Sequence, residues 1–309
     1  MTVDTPDARQ TSDAPDAVQE HAPAKLNLYL HVGPVRGDGL HDLASLFVFA
    51  DIGDVVRAER TSDAALSLEI TGPFAHALAR FDPSTNLVLR AAQALQRATG
   101  VGDGARLILD KQLPIAAGVG GGSADAAAAL RALMRVWRVD MDPAALSTLA
   151  FSLGADVPAC LARAPVYVGG AGERVSPGPA LAPLWACLVN PRVETPTGPI
   201  FRAFDAAAAA RAMPPAAPVF VRPSGVTLAS VQALMTQSVN DLESHAIAQK
   251  PIIARAIAHL QRCSGCLAAR MSGSGATVFA LFTSLTAATN AVRSARAKGW
   301  WAAAGRVHR

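Results

Sequence analysis

The most regular alternation of apolar and polar residues lies near the start of the chain, between residues 22 and 32. Leucines at 26, 28 and 30 and a valine at 32 fall on one face, and Lys25 and Asn27 fall on the other. A period of two residues predicts a half-buried β-strand. This strand brings a lysine and an amide together on its polar face, although a lone pair of that kind is typical of a solvated surface.

The remaining pattern predicts mixed helices and strands. Strands are expected over residues 44–60, 66–70, 106–109 and 184–189, with an edge strand from Trp300. Helices are expected over 87–97, capped by Ser84 or Thr85, and from Pro143. Further helices are expected over 240–262, with Asn240 as the N-cap and a break at Pro251, and over 285–298. Residues 1–21 have no periodic pattern and are predicted to be a disordered lead-in. The proline-rich stretch 177–183 is the candidate domain boundary. The alanine- and proline-rich stretch 206–218 is predicted to be a loop or a ragged helix end.

Composition excludes several classes of protein. With 309 residues, 51% hydrophobic and 17% charged, the chain can build a large core. A net charge of +4 and the absence of a basic, aromatic-rich stripe argue against a nucleic-acid partner. No apolar run reaches the length of a membrane span, and residues 1–21 lack the features of a secretory signal. We therefore expect a cytoplasmic protein with no membrane partner.

The four cysteines do not make a recognisable metal site. Cys263 and Cys266 form the only C-x-x-C pair, and His259 lies four residues earlier. A zinc site needs a second pair or histidines at ligand spacing. We interpret these thiols as buried or incidental.

A glycine-rich run predicts the binding site. Four glycines occur within five residues, at 118, 120, 121 and 122, between the predicted strand 106–109 and an alanine-rich helix that begins near Ser123. Ser123 suits the N-cap of that helix and Asp125 its first turn. Free N–H groups at a helix start bind anions, phosphate above all. The run has no lysine of a Walker loop and no third glycine of the dinucleotide fingerprint.

The run PIAAGVGGGSADAA resembles the phosphate loop of the GHMP kinase superfamily. The stretches PAKLNLYL, LGADVP and MSGSGATVF are similar to further stretches of that family and occur in its order. The resemblance covers roughly residues 22–298. It implies a two-domain α+β fold, with a ribosomal protein S5 domain 2-like N-terminal domain over 22–178 and a ferredoxin-like C-terminal domain over 179–309.

The resemblance also implies a catalytic pair and a nucleotide site. Asp156 would accept the proton of the attacking hydroxyl, and Lys25 would stabilise the developing charge. As a single residue, Asp156 fits a helix cap better than a catalytic acid. Mg²⁺ would accompany ATP, with Ser123 as its candidate ligand. The implied ATP-binding residues are Pro114, Ile115, Ala116, Ala117, Gly118, Val119, Gly120, Gly121, Gly122, Ser123 and Ala124.

Two further stretches narrow the resemblance to the branch of the family that phosphorylates the 2-hydroxyl of a cytidine diphosphate-linked methylerythritol in isoprenoid precursor synthesis. RGDGLHDL and TPTGPIF are similar to its substrate-binding stretches, and the second of these is expected to be a loop. They imply that the substrate is bound by Asn27, His41, Thr197 and Phe201. The branch has a cytosine-stacking aromatic where this chain has Leu40. As a single residue, Phe201 fits a packing role equally well.

Two alternatives stay open from the sequence. One is another GHMP kinase that acts on a small molecule such as homoserine or mevalonate. Leu40 is compatible with this alternative, whereas His41 and the Thr197–Phe201 stretch argue against it. The other is a non-catalytic nucleotide-binding relative, which Lys25 and Asp156 oppose. In each case the partner is a small molecule, and the chain is expected to be a monomer or a homodimer.

Overall fold

The structure is a computed structural model that describes residues 16–210, 218–222 and 227–308. Its strands form two sheets. The first has six strands in the order β3-β4-β2-β5-β6, with β1 paired to β2. These strands are β1 Ala17–Val35, β2 His41–Thr61, β3 Leu66–Thr71, β4 Gly104–Asp110, β5 Val166–Gly170 and β6 Arg174–Pro177.

Helices of the first half of the chain pack on this sheet and enclose its core. They are α1 Ala75–Leu78, α2 Leu87–Thr99, α3 Gly121–Trp137, α4 Pro143–Leu153 and α5 Val157–Ala162, and a 3₁₀ turn at Pro83–Thr85 precedes α2. The alanine-rich helix α3 is central. Its small side chains let it lie close to β1, β2 and α2, and most of them are fully buried.

The second sheet is built from the later part of the chain, in the order β10-β7-β9-β8, with all pairs antiparallel. Its strands are β7 Trp185–Asn190, β8 Cys266–Met271, β9 Val278–Phe282 and β10 Trp301–Arg306. The associated helices are α6 Thr197–Ala210, α7 Leu228–Gln237, α8 Glu243–Gln249, α9 Ile252–Gln261 and α10 Leu285–Arg296. The predicted break at Pro251 and the edge strand β10 are both confirmed. Mixed helices and sheets of this kind confirm the α+β prediction.

The antiparallel ribbon of β1 and β2 corrects two predictions. The disordered lead-in is wrong for residues 17–21, which are part of β1 and pair with β2 from Glu59 to Val55; residues 1–15 lie outside the described residues. The half-buried strand is also wrong, because Lys25 and Asn27 are only 5% and 1% exposed. Loops from both halves of the molecule cover the polar face, which an alternation pattern cannot reveal.

Two predicted helix details are also corrected. Helix α2 is capped by the Asn86 side chain, which accepts from the Val88 N–H, while Ser84 and Thr85 belong to the preceding turn. The TPTGPIF stretch lies largely in helix α6, although a loop was expected. The 206–218 segment, predicted as a loop or ragged helix end, is helical to Ala210, and residues 211–217 lie outside the described part.

None of the helices in the part of the chain that the structure describes combines the length and apolar character that a membrane crossing needs.

Candidate active site

The glycine-rich run forms a loop between β4 and α3. Helix α3 begins at Gly121, and Gly120 precedes it in the left-handed region with φ of 64°. Ser123 is therefore the third residue of the helix, so its predicted N-cap role is wrong. Because Gly120 offers no capping side chain, the helix start presents backbone N–H groups to the cavity, as an anion site requires.

A second loop, Ser272–Gly275 between β8 and β9, packs against the first. The Thr277 N–H donates to the Ala117 carbonyl at 3.1 Å. A Cβ on Gly118 would lie 2.4 Å from the Ser272 carbonyl oxygen, and a Cβ on Gly273 would lie 2.8 Å from the Gly118 oxygen. Only glycine allows the two backbones to approach this closely.

Asn240 supports this second loop from behind. Its amide donates to the carbonyls of Met271 and Gly273 at 3.0 and 2.8 Å. Helix α8 begins three residues later, at Glu243, with no side-chain cap. The predicted N-cap role of Asn240 is therefore wrong, and its contacts with a loop about 30 residues away leave no trace in the local sequence.

Lys25 and Asp156 meet at the wall of the cavity. Lys25 Nζ lies 3.3 Å from Asp156 Oδ2, and the Asp156 side chain remains 32% exposed. Asp156 occupies the position before α5, but its side chain makes no capping hydrogen bond. The Asp156 carboxylate therefore does not cap α5, and the alternative interpretation of this residue as a helix cap is wrong. The lysine is held on one side while the carboxylate stays open to a ligand.

Two neighbours besides Asp156 hold the Lys25 ammonium in place. It donates to Asn27 Oδ1 at 2.8 Å and lies 4.5 Å from the centre of the Phe47 ring. Asn27 in turn donates from Nδ2 to Ser45 Oγ at 3.0 Å. Phe47 and Ser45 lie on β2, and the sequence analysis missed both. Only the β1–β2 register, which pairs Asn27 with Phe47, brings them to the site.

A second group of predicted residues lies at another end of the cavity. His41, at the start of β2, is 8% exposed, and its Nδ1 lies 2.9 Å from the Gly33 carbonyl oxygen. The rings of His41 and Phe201 are 5.0 Å apart between centroids and tilted by 38°. Thr197 Oγ1 lies 3.0 Å from Ser274 Oγ of the second loop. Leu40 also lines the cavity. We call this region the His41 end.

A buried ionic cluster, missed by the sequence analysis, lies beneath the start of α3. Lys111 Nζ donates to Asp54 Oδ2 at 2.5 Å and to Asp125 Oδ2 at 2.6 Å, and all three residues are at most 3% exposed. Asp54 Oδ1 also accepts the N–H groups of Gln112 and Leu113. The cluster joins β2, the loop and α3. We call it the Lys111 cluster.

The Lys111 cluster has unusual protonation. Burial, with the nearby Asp54 carboxylate adding to it, raises the pKa of Asp125 to about 8 although Lys111 opposes the rise. The pKa of Lys111 is raised, because its two carboxylate partners outweigh its desolvation. One cation cannot neutralise two buried carboxylates, so a proton on Asp125 balances the charge. Asp125 Oδ2 contacts Lys111, and both residues line the cavity beside the start of α3.

The two ends belong to one cavity of about 1080 Å³. Its wall includes the predicted loop residues from Pro114 to Ser123, except Val119, and Lys25, Asp156, His41 and Phe201. Val119 is buried behind the loop, where its carbonyl accepts the Lys25 N–H at 2.9 Å, and Ala124 is buried in α3. A cavity of this size accommodates two ligands of nucleotide size side by side.

The described residues contain no group of three histidine, cysteine or acidic side chains placed to hold a metal. Cys263 and Cys266 are free thiols, with Cys263 contacting the His259 carbonyl. Around the loop, the oxygen donors on the cavity wall include the Ser123 hydroxyl and the carboxyl groups of Asp156 and Asp125, of which Asp125 is already paired with Lys111.

Two family models match the chain. The N-terminal domain of GHMP kinases matches residues 86–163, and the C-terminal GHMP kinase domain matches residues 226–299. The first match contains the glycine-rich loop and Asp156, and the second contains the Ser272–Gly275 loop.

Curated relatives match over almost the whole chain. A 4-diphosphocytidyl-2-C-methyl-D-erythritol kinase of Hyphomonas neptunium is 47% identical over 304 residues, which cover 96% of this chain and 98% of the relative. The same enzyme of Cereibacter sphaeroides is 50% identical over 290 residues, covering 93% and 98%.

Solved structures agree with these relatives. A crystal structure of 4-(cytidine 5'-diphospho)-2C-methyl-D-erythritol kinase has a TM-score of 0.73 and 31% identity, covering 94% of this chain and all of that chain. A homoserine kinase from Cytophaga hutchinsonii has a TM-score of 0.67 at 18% identity, covering 96% of each chain, and shares the fold.

Proposed function

This chain belongs to the GHMP kinase family, among the 4-diphosphocytidyl-2-C-methyl-D-erythritol kinases, and from that membership we propose how its own residues carry out the reaction. It is an ATP-dependent kinase of non-mevalonate isoprenoid precursor synthesis, and its substrate is a small molecule. The residue roles, the metal and the orientation of the substrate below are our proposal.

The Lys25–Asp156 pair carries the proposal. An Asp156 carboxylate oxygen accepts the proton of the substrate's 2-hydroxyl. The hydroxyl oxygen bonds to the γ-phosphorus of ATP, and the bond from that phosphorus to the β,γ-bridging oxygen breaks to release ADP. Lys25, 3.3 Å from Asp156 and fixed by Asn27, stabilises the charge on the attacking oxygen and the transferring phosphoryl group. Positioning and charge stabilisation supply most of the catalysis of such a loose transfer.

The glycine-rich loop binds the triphosphate. Backbone N–H groups at the start of α3 face the cavity and favour negative charge. The contact between the two loops fixes their backbones before ATP arrives, so little ordering is needed on binding.

Mg²⁺ fits this site through oxygen donors. Mg²⁺ is commonly held by one or two protein oxygens together with substrate phosphates. The Ser123 hydroxyl and the Asp156 carboxylate are the donors on the cavity wall that suit this role. When bound, the metal neutralises phosphate charge during transfer.

The His41 end binds the cytidine part of the substrate. Phe201 offers one aromatic face to the base, and Leu40 offers an apolar contact where an aromatic residue would stack more strongly. Thr197, near the second loop, is positioned to bind the diphosphate or the sugar. This arrangement supports a substrate with a base at one end and a hydroxyl near Asp156.

The test is ADP release by the purified protein with Mg²⁺-ATP and the cytidyl substrate, compared with homoserine and mevalonate. We expect turnover with the cytidyl substrate alone. Asp156→Asn keeps the size of the side chain but loses the base, so kcat should fall about 10³-fold or more, a typical range for a lost general base with its charge. Turnover of homoserine or mevalonate at a similar rate would contradict the cytidine assignment and leave the family unaffected.

A further inference from the structure

The His41 end contains a carboxylate to which nothing above assigns a role. Asp205, on helix α6, lines the cavity, and its Oδ2 lies 3.5 Å from His41 Nε2. Phe201 precedes Asp205 by four residues, so the ring and the carboxylate lie on the same face of the helix, one turn apart. Phe204 adds a second ring, 6.1 Å from His41 between centroids and perpendicular to it.

The backbone fixes which His41 nitrogen carries the hydrogen. Nδ1 lies 2.9 Å from the Gly33 carbonyl oxygen, which can only accept, so Nδ1 is the donor. Neutral His41 therefore presents an acceptor at Nε2. If His41 is protonated, Nε2 donates to Asp205 and leaves the other carboxylate oxygen free. In either state Asp205 presents an acceptor to the cavity, with 42% of its side chain exposed.

We propose that Asp205 selects the cytosine of the substrate by accepting a hydrogen bond from its exocyclic 4-amino group. The inference rests on the function proposed above and adds a specificity-determining residue to it. An amino group has two hydrogens to donate, to the carboxylate and to His41 Nε2. A uracil has a carbonyl oxygen at the same position, which would face a carboxylate with no hydrogen between them.

The rings hold the base where Asp205 can reach it. Phe201 is packed against His41 on the same side of α6 as Asp205, so a base stacked on Phe201 lies beside the His41–Asp205 pair. Leu40 adds bulk without a hydrogen-bonding group. The His41–Asp205 pair, and not Leu40 or Phe201, therefore distinguishes the amino group of cytosine from the carbonyl group of uracil.

The experiment measures kcat/KM for the cytidyl substrate and for its uridyl counterpart, in the wild type and in Asp205→Asn. An amide can present its NH₂ to a carbonyl oxygen, so this variant should accept the uridyl compound better and the cytidyl compound less well. We expect the ratio of kcat/KM for the cytidyl substrate to kcat/KM for the uridyl compound to fall about tenfold in Asp205→Asn. This is the usual contribution of one such hydrogen bond. Inhibition by CMP and UMP gives the same ratio without turnover.

Asp42→Asn is the matched control. Asp42 follows His41 in β2, but its carboxylate lies 3.6 Å from Arg36 and does not line the cavity. This variant removes the same charge beside His41, so a ratio that falls equally in both variants would assign the effect to general electrostatics and overturn the inference. An unchanged ratio in Asp205→Asn would also overturn it. Failure of the wild type to use the cytidyl substrate would instead contradict the proposed function.

Discussion

Lys25 and Lys111 line the same cavity and are almost equally buried, 5% and 3% exposed, yet their surroundings are opposite. Lys25 has one carboxylate partner, Asp156, whose side chain is 32% exposed. Lys111 has two, Asp54 and Asp125, whose side chains are 0% and 4% exposed. A ligand can reach the first pair, whereas the Lys111 cluster is closed by its own partners.

With Lys25 in its proposed catalytic role, the difference implies that burial alone does not distinguish a reactive lysine from a structural one. What distinguishes them is the number of partners and their access to the cavity. Lys25 has an amide, a ring and an accessible carboxylate, which leave its charge available for a phosphoryl group. The charge of Lys111 is used entirely within the protein, where it holds β2, the loop and α3 together.

The largest expected effect comes from removing the accessible lysine. Lys25→Met should lower kcat about 10³-fold, or roughly 4 kcal/mol of barrier, because the transferring group loses its cation. The melting temperature of this variant should change little, because the Asp156 carboxylate that loses its partner is partly exposed to water. Steady-state kinetics and thermal unfolding of the same preparation test both statements. A large loss of stability with normal kcat would reverse the roles of the two lysines.

Lys111→Met should act mainly on stability. It leaves the buried Asp54 carboxylate without its counter-ion, which costs about 3–5 kcal/mol in the free energy of unfolding. Urea denaturation at pH 7 measures this loss. Lys298→Met, at an exposed position, is the control and should change the same free energy by less than about 0.5 kcal/mol. Equal effects of the two variants would contradict a structural role for the Lys111 cluster.

Asp125→Asn should be stabilising, and increasingly so at higher pH. The pKa of Asp125 is raised from 3.8 to about 8 by burial, so between these pH values the folded protein holds a proton that the unfolded chain releases. The unfolding free energy of the wild type should therefore fall as pH rises through this window. An asparagine does not titrate, so the advantage of the variant should grow by roughly 3–4 kcal/mol from pH 5 to pH 8.

Urea denaturation of both proteins across this pH range is the measurement. Asp63→Asn, at an exposed position, is the control and should show no such growth. A constant difference between Asp125→Asn and the wild type would show that Asp125 is ionised throughout.

The smallest effect is expected at Leu40, which lines the cavity at the His41 end and at neither Lys25 nor the Lys111 cluster. Leu40→Tyr offers a second aromatic face to the base and should lower the KM for the cytidyl substrate two- to fivefold, equivalent to about 0.5–1 kcal/mol. The value of kcat and the melting temperature should stay unchanged, because neither lysine is touched. An increase in KM would indicate that the base does not lie against residue 40.

The sequence predicted the elements and the loop well because these depend on local patterns. The strand 106–109, the break at Pro251 and the glycine run each have a period or a residue type that signals them. The roles of Lys25 and Asp156 came from resemblance, since each residue alone fits a plainer interpretation.

The residues that were missed depend on long-range contacts. Asp54 lies 57 residues before Lys111, and neither position has a local signature of pairing. Asn240 looks like a helix cap, but its amide binds carbonyls about 30 residues later. The helix start was misplaced by two residues because a left-handed glycine, and not a serine, precedes it.

The contact between Gly118 and Gly273 has a consequence for the gene. A side chain at either position would collide with the backbone of the other loop, so no compensating change in the opposite side chain can relieve it. The two codons, which lie in different halves of the reading frame, must therefore both encode glycine for the loops to pack in this way. Recombination that exchanges one half with a distant relative preserves function only when the incoming half brings a glycine at its own side of this contact.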